Sequence, residues 1–344
     1  MDAELRLQDF ALADYQDMIS GTFRDFFEKE CPTSLVRETE AAGFAPGLWK
    51  RLVEMGVVSM ALPTEAGGDG SSLVDVALVA DEAGAAMAPV PLISHVTASR
   101  LLARVGAGRE LVEAALAGER IFTLALAPVR EGGRQLVPEA AISGDVIGLE
   151  GSELVLYTGS AGEHVANQGG TAVGWWSPAG KDRTVLVTGE RAGEEYGRAV
   201  AEWKVLMAAA LIGLTERSMW IGVEFTKTRR TMGVPIGALQ GVSFPLADVA
   251  IGVTGGRNLV RKAAWFLNEE PDSRPDLPLI AFAYAREVAG RGVSISAHVQ
   301  GGLGVAREAD ATLYFVRGKA WAALAGSATD DYVAIARAYA ASLQ

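Results

Sequence analysis

Apolar residues recur at spacings of three and four through Trp49, Leu52, Val53 and Met55, and again through Val74, Ala77 and Leu78, so the stretch from about residue 8 to 118 predicts amphipathic helices. Between them, Leu62-Pro63-Thr-Glu65-Ala-Gly67-Gly68-Asp-Gly70 reads as a loop, with Ser71 and Ser72 as N-caps of the next helix. Around Ile121 the period shortens to alternation broken by glycine. Phe122-Thr-Leu124, Ile147-Gly-Leu149, Leu154-Val-Leu156, Trp175-Trp176 and Thr184-Val-Leu-Val187 read as short strands of a small barrel or sandwich ending near Glu202. In Trp175-Trp176 one ring is expected in the core and one at its rim. From Trp203 the helical period returns in four segments near 203–230, 240–268, 277–300 and 308–342. Glu269 and Glu270 beside Pro271 form a solvated turn between the second and third. Four long helices in succession predict an antiparallel bundle. The expected architecture is mainly α with a small β domain: an N-terminal helical domain over 1–118, a middle β domain over 119–202 and a C-terminal four-helix bundle over 203–344.

Composition narrows the function. With 49% hydrophobic and 21% charged residues, the 344-residue chain has material for a packed core and too little charge for wholesale disorder. Its net charge is −11, and no basic run is longer than Lys227-Thr-Arg229-Arg230, which argues against nucleic acid. The longest uninterrupted apolar run, Val205 to Leu214, is well short of the roughly 20 residues of a membrane span. Met-Asp-Ala-Glu-Leu-Arg at the start is acidic where a secretory signal is basic, so a cytoplasmic protein is expected. The lone Cys31 can form no internal disulfide and is expected half-buried, and His95, His164 and His298 lie too far apart for metal-ligand spacing, so no metal site is predicted.

Three groups of residues carry more. The first is Trp49 ahead of Gly56, the Leu62–Gly70 loop, Asp81-Glu82-Ala-Gly84 and Ala88-Pro89-Val-Pro91; the second is Arg229-Arg-Thr-Met232-Gly233-x-Pro235-Ile236 with Gln240 and Phe244-Pro-Leu-Ala247-Asp248; the third is His298-Val-Gln300-Gly301-Gly302-Leu-Gly304. In this order and spacing they resemble the acyl-CoA dehydrogenase family across nearly the whole chain. The chemistry is coherent, because a pyrophosphate needs a fixed cation and close backbone approach. Arg229 offers a guanidinium fork at a helix end, and Gly301 and Gly302 lack the Cβ atoms that would block that approach. Taken singly, Arg229 is equally a surface residue, Gln240 a helix start and the glycines a turn.

The resemblance implies FAD, with Arg229, Met232, Gln240, His298, Gln300, Gly301 and Gly302 contacting a cofactor held mainly by the neighbouring subunit. It also implies an acyl-CoA thioester substrate, a homo- or hetero-tetramer with a sister acyl-CoA dehydrogenase, and an electron-transferring flavoprotein as oxidant. The implied reaction is α,β-dehydrogenation, in which a glutamate takes the α-proton and the β-hydrogen leaves as hydride to flavin N5.

The sequence departs from that pattern at the base. Counting from Arg317, the usual glutamate position holds Ala325, and counting back from Arg229, the alternative position holds Trp203. Glu202 is one residue away and is either a displaced base or an acid favourable to a helix N-terminus. The β region also lacks the family's flavin-cradling signatures, since Leu124-Ala-Leu-Ala-Pro128-Val-Arg stands where they belong. Three readings follow. The chain completes a sister subunit's FAD site, as the short partner chains of actinobacterial sterol side-chain enzymes do; or it is a self-sufficient homotetramer using a displaced base such as Glu202; or it is a non-catalytic homologue that binds acyl-CoA or a partner.

Overall fold

In a computed structural model of the chain, residues 11–342 are described. The acidic start at 1–6 lies outside them. Seven helices come first: α1 (Asp14–Glu30), α2 (Thr33–Glu38), α3 (Pro46–Glu54), α4 (Val57–Ala61), α5 (Leu73–Ala85), α6 (Leu92–Arg104) and α7 (Arg109–Ala117). Seven strands follow, β1 (Phe122–Leu124), β2 (Gln135–Val137), β3 (Asp145–Glu150), β4 (Glu153–Thr158), β5 (Glu163–His164), β6 (Gly174–Trp176) and β7 (Asp182–Thr188). Then come α8 (Glu190–Thr228), a hairpin of β8 (Arg230–Thr231) and β9 (Val234–Pro235), α9 (Gln240–Glu269), α10 (Leu277–Val299), α11 (Asp310–Ala320) and α12 (Ala328–Ser342). The chain is therefore mainly α with a small β region between helical parts, as its periodicities predict.

Two element boundaries differ from the sequence reading. The helix expected from Trp203 starts at Glu190. Ala192, Tyr196, Ala199 and Trp203 are all buried at helical spacing, but Gly193 and Gly197 interrupt the pattern and disguise it as loop. The segment expected over 308–342 is two helices, parted by a turn at Trp321–Ala323 and by Gly326, whose φ of +93° suits glycine.

By its internal contacts the chain divides into two compact units, one formed by Ser34–Val76 and Pro89–Trp203, the other by residues through Thr33, Ala77–Ala88 and residues from Lys204 on. In the first unit, strands β1-β3-β4-β7 form one sheet and β2-β6-β5 another. Their facing residues share a core of Val137, Val146, Val155, Tyr157 and Trp176, so the region is a sandwich. On the other face of the larger sheet, Phe122, Leu124, Ile147 and Leu156 pack with Leu101 and Leu102 of α6 and with Ala192 and Tyr196 of α8. Covered on both sides, β3 has four consecutive buried residues instead of alternation. Trp176 is buried edge-on to Tyr157, whereas Trp175 is 38% exposed under the Arg134 guanidinium, so the pair does divide into core and rim.

The second unit is a helical bundle in which α10 packs against both α9 and α11. Helices α5 and α8 cross there almost backbone to backbone. A Cβ on Gly84 would stand 2.0 Å from the Ala210 carbonyl oxygen, and one on Gly213 would stand 2.0 Å from that of Asp81. Reciprocal glycines make the crossing possible, and any larger residue at either position would force the helices apart. Helix α8 has the length and apolar composition to cross a bilayer, but 78% of its most apolar window is buried within the protein, as in a core helix.

Candidate active site and cofactor rim

In the first unit, α8 and α6 bring the residues around Trp203 together. Both Trp203 and Glu202 are wholly buried. The Trp203 indole N–H donates to Ser94 Oγ at 3.1 Å. Glu202 is gripped by arginines: Arg104 Nη1 at 2.8 Å, Arg100 Nε at 3.3 Å and Arg198 Nε at 3.8 Å. Arg104 also donates to Glu195, and Arg100 to the Ala61 carbonyl at 2.7 Å, so both guanidiniums are fixed from behind. Burial alone would raise the Glu202 pKa, but Arg104 and Arg100 outweigh it and hold the carboxyl below its usual value. An ionised carboxylate saturated with charged donors is a structural anchor.

Glu139 is the residue of this neighbourhood that the sequence reading missed. Its backbone is left-handed at φ +53°, its Oε2 is buried without a hydrogen-bond partner, and burial, opposed by a hydrogen bond from Ser94, pushes its carboxyl up to about 7. Only the Pro138-Glu139 step after a strand could have hinted at it. Close by in sequence, Ser94 is followed by His95, whose Nδ1 accepts from the Phe122 N–H at 3.1 Å and whose Nε2 faces the Ala115 carbonyl at 3.0 Å. That pair of partners fixes the neutral Nε2–H tautomer.

The other expected base position, Ala325, lies half-buried in the turn before Gly326 in the second unit. It offers no acid or base. That unit does hold buried charge elsewhere. Arg257 binds both oxygens of Asp81, at 2.9 and 3.1 Å, and Glu216 at 2.7 Å, while Arg24 Nη2 binds Glu82 at 2.7 Å. Arg24, Asp81, Glu82 and Glu216 border a cavity of about 730 Å³, which Cys31 also lines. Cys31 is more buried than expected; burial pushes its thiol up to about 12, which makes it inert as a nucleophile. Among the described residues no group of three or more metal-ligating side chains converges.

The residues expected to hold the cofactor lie in the second unit at two places. Arg229 follows the last turn of α8, and its carbonyl accepts from the Ile236 N–H at 2.8 Å, which closes the hairpin. Met232 and Gly233 form the two-residue tip at φ +49° and +80°, a type I′ turn that fixes the hairpin's twist. Gln240 then opens α9, a 30-residue helix whose N-cap Leu239 provides no side-chain acceptor; its carbonyl takes the Val242 and Ser243 N–H groups, and the Gln240 and Gly241 N–H groups at the very start are those an anion could meet. The Arg229 guanidinium is exposed and makes no hydrogen bond or ion pair among the described residues. Beneath the hairpin an apolar groove of about 570 Å³ runs between Met219, Trp220, Val223 and Leu246. His298, exposed, and Gln300, bonded to the Ser296 carbonyl, end α10. Gly301 and Gly302 follow, exposed, with open space where each Cβ would stand. A free guanidinium, an uncapped helix start and a bare glycine backbone fit a dinucleotide's phosphates.

Comparisons with known proteins identify the family and the fold. The sequence model described as acyl-CoA dehydrogenase, N-terminal domain, matches residues 13–112, and that of the C-terminal domain matches residues 198–339. The chain is 27% identical over 333 residues to the acyl-CoA dehydrogenase IpdE2 of Mycolicibacterium smegmatis, covering 92% of this chain and 96% of the relative. It is also 27% identical over 375 residues to the acyl-CoA dehydrogenase FadE27 of Mycobacterium tuberculosis, covering 96% and 98%. Among solved structures, the ChsE4-ChsE5 complex of Mycobacterium tuberculosis matches with a TM-score of 0.83 at 25% identity over 97% of this chain and 99% of that one. A variant of the Tcur3481-Tcur3483 steroid ACAD shares the fold, with a TM-score of 0.87 at 23% identity over 96% and 99%.

Proposed function

Because the chain belongs to the acyl-CoA dehydrogenase family, we infer that it serves as one subunit of a heteromeric enzyme, completing a sister chain's FAD site while supplying no general base of its own. The state of Glu202 carries this reading. A base must reach the proton it removes and must gain by taking it. Glu202 has no exposure, is hydrogen-bonded by Arg100 and Arg104, and is held below the ordinary carboxylate range. Trp203 and Ala325, at the two expected base positions, cannot accept a proton at all.

The rim supports the complementary half of the reading. Arg229 would neutralise and orient a pyrophosphate, the start of α9 would donate backbone N–H groups to it, and Gly301 and Gly302 would let it approach the chain. Gln240 and Gln300 would add amide contacts, with Met232 and His298 flanking them. When bound, FAD supplies the hydride acceptor for dehydrogenation of an acyl-CoA thioester. The relatives' names, with ChsE4 and ChsE5 forming one complex and Tcur3481 and Tcur3483 a steroid enzyme, support pairing with a sister acyl-CoA dehydrogenase in a tetramer and a steroid-derived acyl group. An electron-transferring flavoprotein as oxidant and a cytoplasmic location complete the proposal.

The test is the FAD content and solution mass of the chain purified alone and with its sister. Little flavin alone, rising on co-expression to about one FAD for each pair of chains, is the expected result. Near-stoichiometric FAD in a homotetramer, with turnover lost in Glu202→Gln, would establish the self-sufficient reading instead.

A further inference from the structure

Helix α9 is apolar on two sides. Its inner side belongs to the bundle core, where Leu246, Val249, Val253 and Val260 are buried. Its outer side carries Phe244 at 58% exposure and Ile251 at 70%, with Ala247 and Gly255 exposed between and beyond them. At 100° per residue these four positions fall within about 80° of one another, so they form one stripe along the helix. The charge at its edge, Asp248, pairs with Arg291 of α10 at 2.9 Å, so covering the stripe would strand no lone carboxylate. The neighbouring α10, by contrast, turns Glu287, Arg291 and His298 outward. A helix apolar all round is one that is enclosed on all sides, and the chain itself encloses only the inner side of α9.

The stripe also has a relief that fits itself. Phe244 and Ile251 stand out, while Ala247 and Gly255 are low; a Cβ on Gly255 would meet nothing nearer than Tyr284 Oη at 3.0 Å. Phe244 and Gly255 lie eleven residues apart, close to three turns. When two copies of α9 run antiparallel about a two-fold axis between Val249 and Ala250, each Phe244 falls on the other's Gly255. Each Ile251 then comes level with the gap between the other's Ala247 and Ile251. Both ends match at once, as in an isologous contact, whereas an unrelated partner has no reason to repeat this spacing. We propose that the outer face of α9 from Phe244 to Gly255 is an interface whose partner is a second copy of this chain, packed antiparallel across a two-fold axis. The low positions let the two helices approach closely, and the knobs fill the holes opposite. The sister subunit proposed above meets the rim, which begins one turn earlier at Gln240; this face brings two such pairs together. The argument uses the chain's own surface and stands apart from the sharing of FAD.

Sedimentation of the full-length chain purified alone tests it. The parent is expected to be a dimer. Ile251→Asp, at an exposed position, should weaken dimerisation by about a hundredfold or more, because each dimer would bury two unpaired carboxylates, while the circular dichroism stays that of the parent. Arg229→Met, at the rim, should remain dimeric, so a failure here and a failure of the shared FAD site are read separately. Exchanging knob and notch tests the register. Phe244→Ala and Gly255→Leu should each weaken the dimer by about tenfold, and the double variant should regain most of the loss, since the exchanged pair matches again under the two-fold. A monomeric parent would overturn the interface, as would an Ile251→Asp variant that stays dimeric. Additive losses in the double variant would overturn the antiparallel register. A parent that is monomeric alone and whose Ile251→Asp variant loses a co-expressed sister dehydrogenase would give the face to the sister and overturn the second copy as its occupant.

Discussion

Glu202 has three arginines around it and no exposure, while Arg229 is exposed and makes no ion pair among the described residues. Trp203 is enclosed and its indole N–H is satisfied by Ser94, while Met232 projects from a hairpin tip at 93% exposure. The same long helix, α8, contributes to both places, near its middle and at its C-terminal end. The interior region is finished by this chain alone, and its charges serve cohesion. At the rim the Arg229 guanidinium has no hydrogen bond or ion pair among the described residues, as the proposed cofactor role requires. Polar groups left open at a surface cost little while water serves them, so they can await a ligand. Polar groups left open inside cost several kcal/mol, so most of the interior is self-satisfied, and the buried Glu139 Oε2, which has no hydrogen-bond partner, stands out against it.

The largest expected effect comes from breaking the interior half of that comparison. Glu202→Ala leaves three arginines facing one another and should cost roughly 3–5 kcal/mol in denaturant unfolding. Glu202→Gln should lose most of that stability too. Co-expressed with the sister chain at low temperature, it should retain turnover per bound FAD. A fall of several hundred-fold in turnover with stability preserved would reverse the assignment of Glu202 from anchor to base.

The interior should also show in the pH dependence of stability. Burial pushes His95 down to about 4, so between pH 6.5 and 4 the unfolded chain binds a proton that the folded chain refuses. Stability from His95 is full above pH 6.5 and falls by on the order of 3 kcal/mol as pH drops through that window. Glu139 works in the opposite direction. Raised to about 7, it keeps its proton in the folded state, and its contribution is lost as pH rises from 4.5 through 7. The two slopes offset each other where the windows overlap. Glu139→Gln should therefore expose the His95 slope as a steeper loss of stability from pH 6.5 down to 4.5, read from unfolding midpoints. An unchanged pH profile in that variant would show that Glu139 ionises normally.

At the rim the effect moves from stability to binding. Arg229→Met should leave the unfolding midpoint within about 0.5 kcal/mol of the parent, because Arg229 makes no contact that folding needs. It should weaken FAD retention in the two-chain complex by about tenfold or more, the worth of one charge-assisted contact. Equilibrium dialysis of the flavin measures this. Retention equal to the parent's would remove Arg229 from the cofactor site.

How much of this was legible in the sequence follows the same division. The rim is local: Arg229, the Met232-Gly233 tip and Gln240 lie within a dozen residues, and Gly301-Gly302 is a two-residue signal, so the family resemblance can be carried onto them residue by residue, although each taken alone is only a surface arginine, a turn or a helix start. The vacant base positions were legible as the residues Trp203 and Ala325. What Glu202 does was not, because Arg100 and Arg104 lie 102 and 98 residues away and only the packing of α6 on α8 brings them in. The same holds for Asp81 with Arg257, 176 residues apart, and for Lys204 with Asp331, 127 apart. The start of α8 was hidden for a different reason, since Gly193 and Gly197 sit on its exposed side and blur a stripe that Ala192, Tyr196 and Ala199 continue beneath.

The smallest effect sharpens the comparison most, because it separates folding from function at one residue. Met232 takes a left-handed conformation in a turn that Asn-Gly adopts with less strain, and its side chain touches almost nothing of its own chain. Folding gains nothing visible from methionine there. Met232→Asn should therefore raise stability by about 1 kcal/mol, read from the denaturant midpoint. If FAD retention in the two-chain complex falls at the same time, the strained methionine is kept for what it meets outside the chain, and the tip belongs to the shared site. If retention is unchanged, the cofactor contacts begin at Arg229 and Gln240, and Met232 drops out of the set. Loss of stability on substitution would mean that the exposed side chain packs within this chain after all, contrary to the distinction between a closed interior and an open rim.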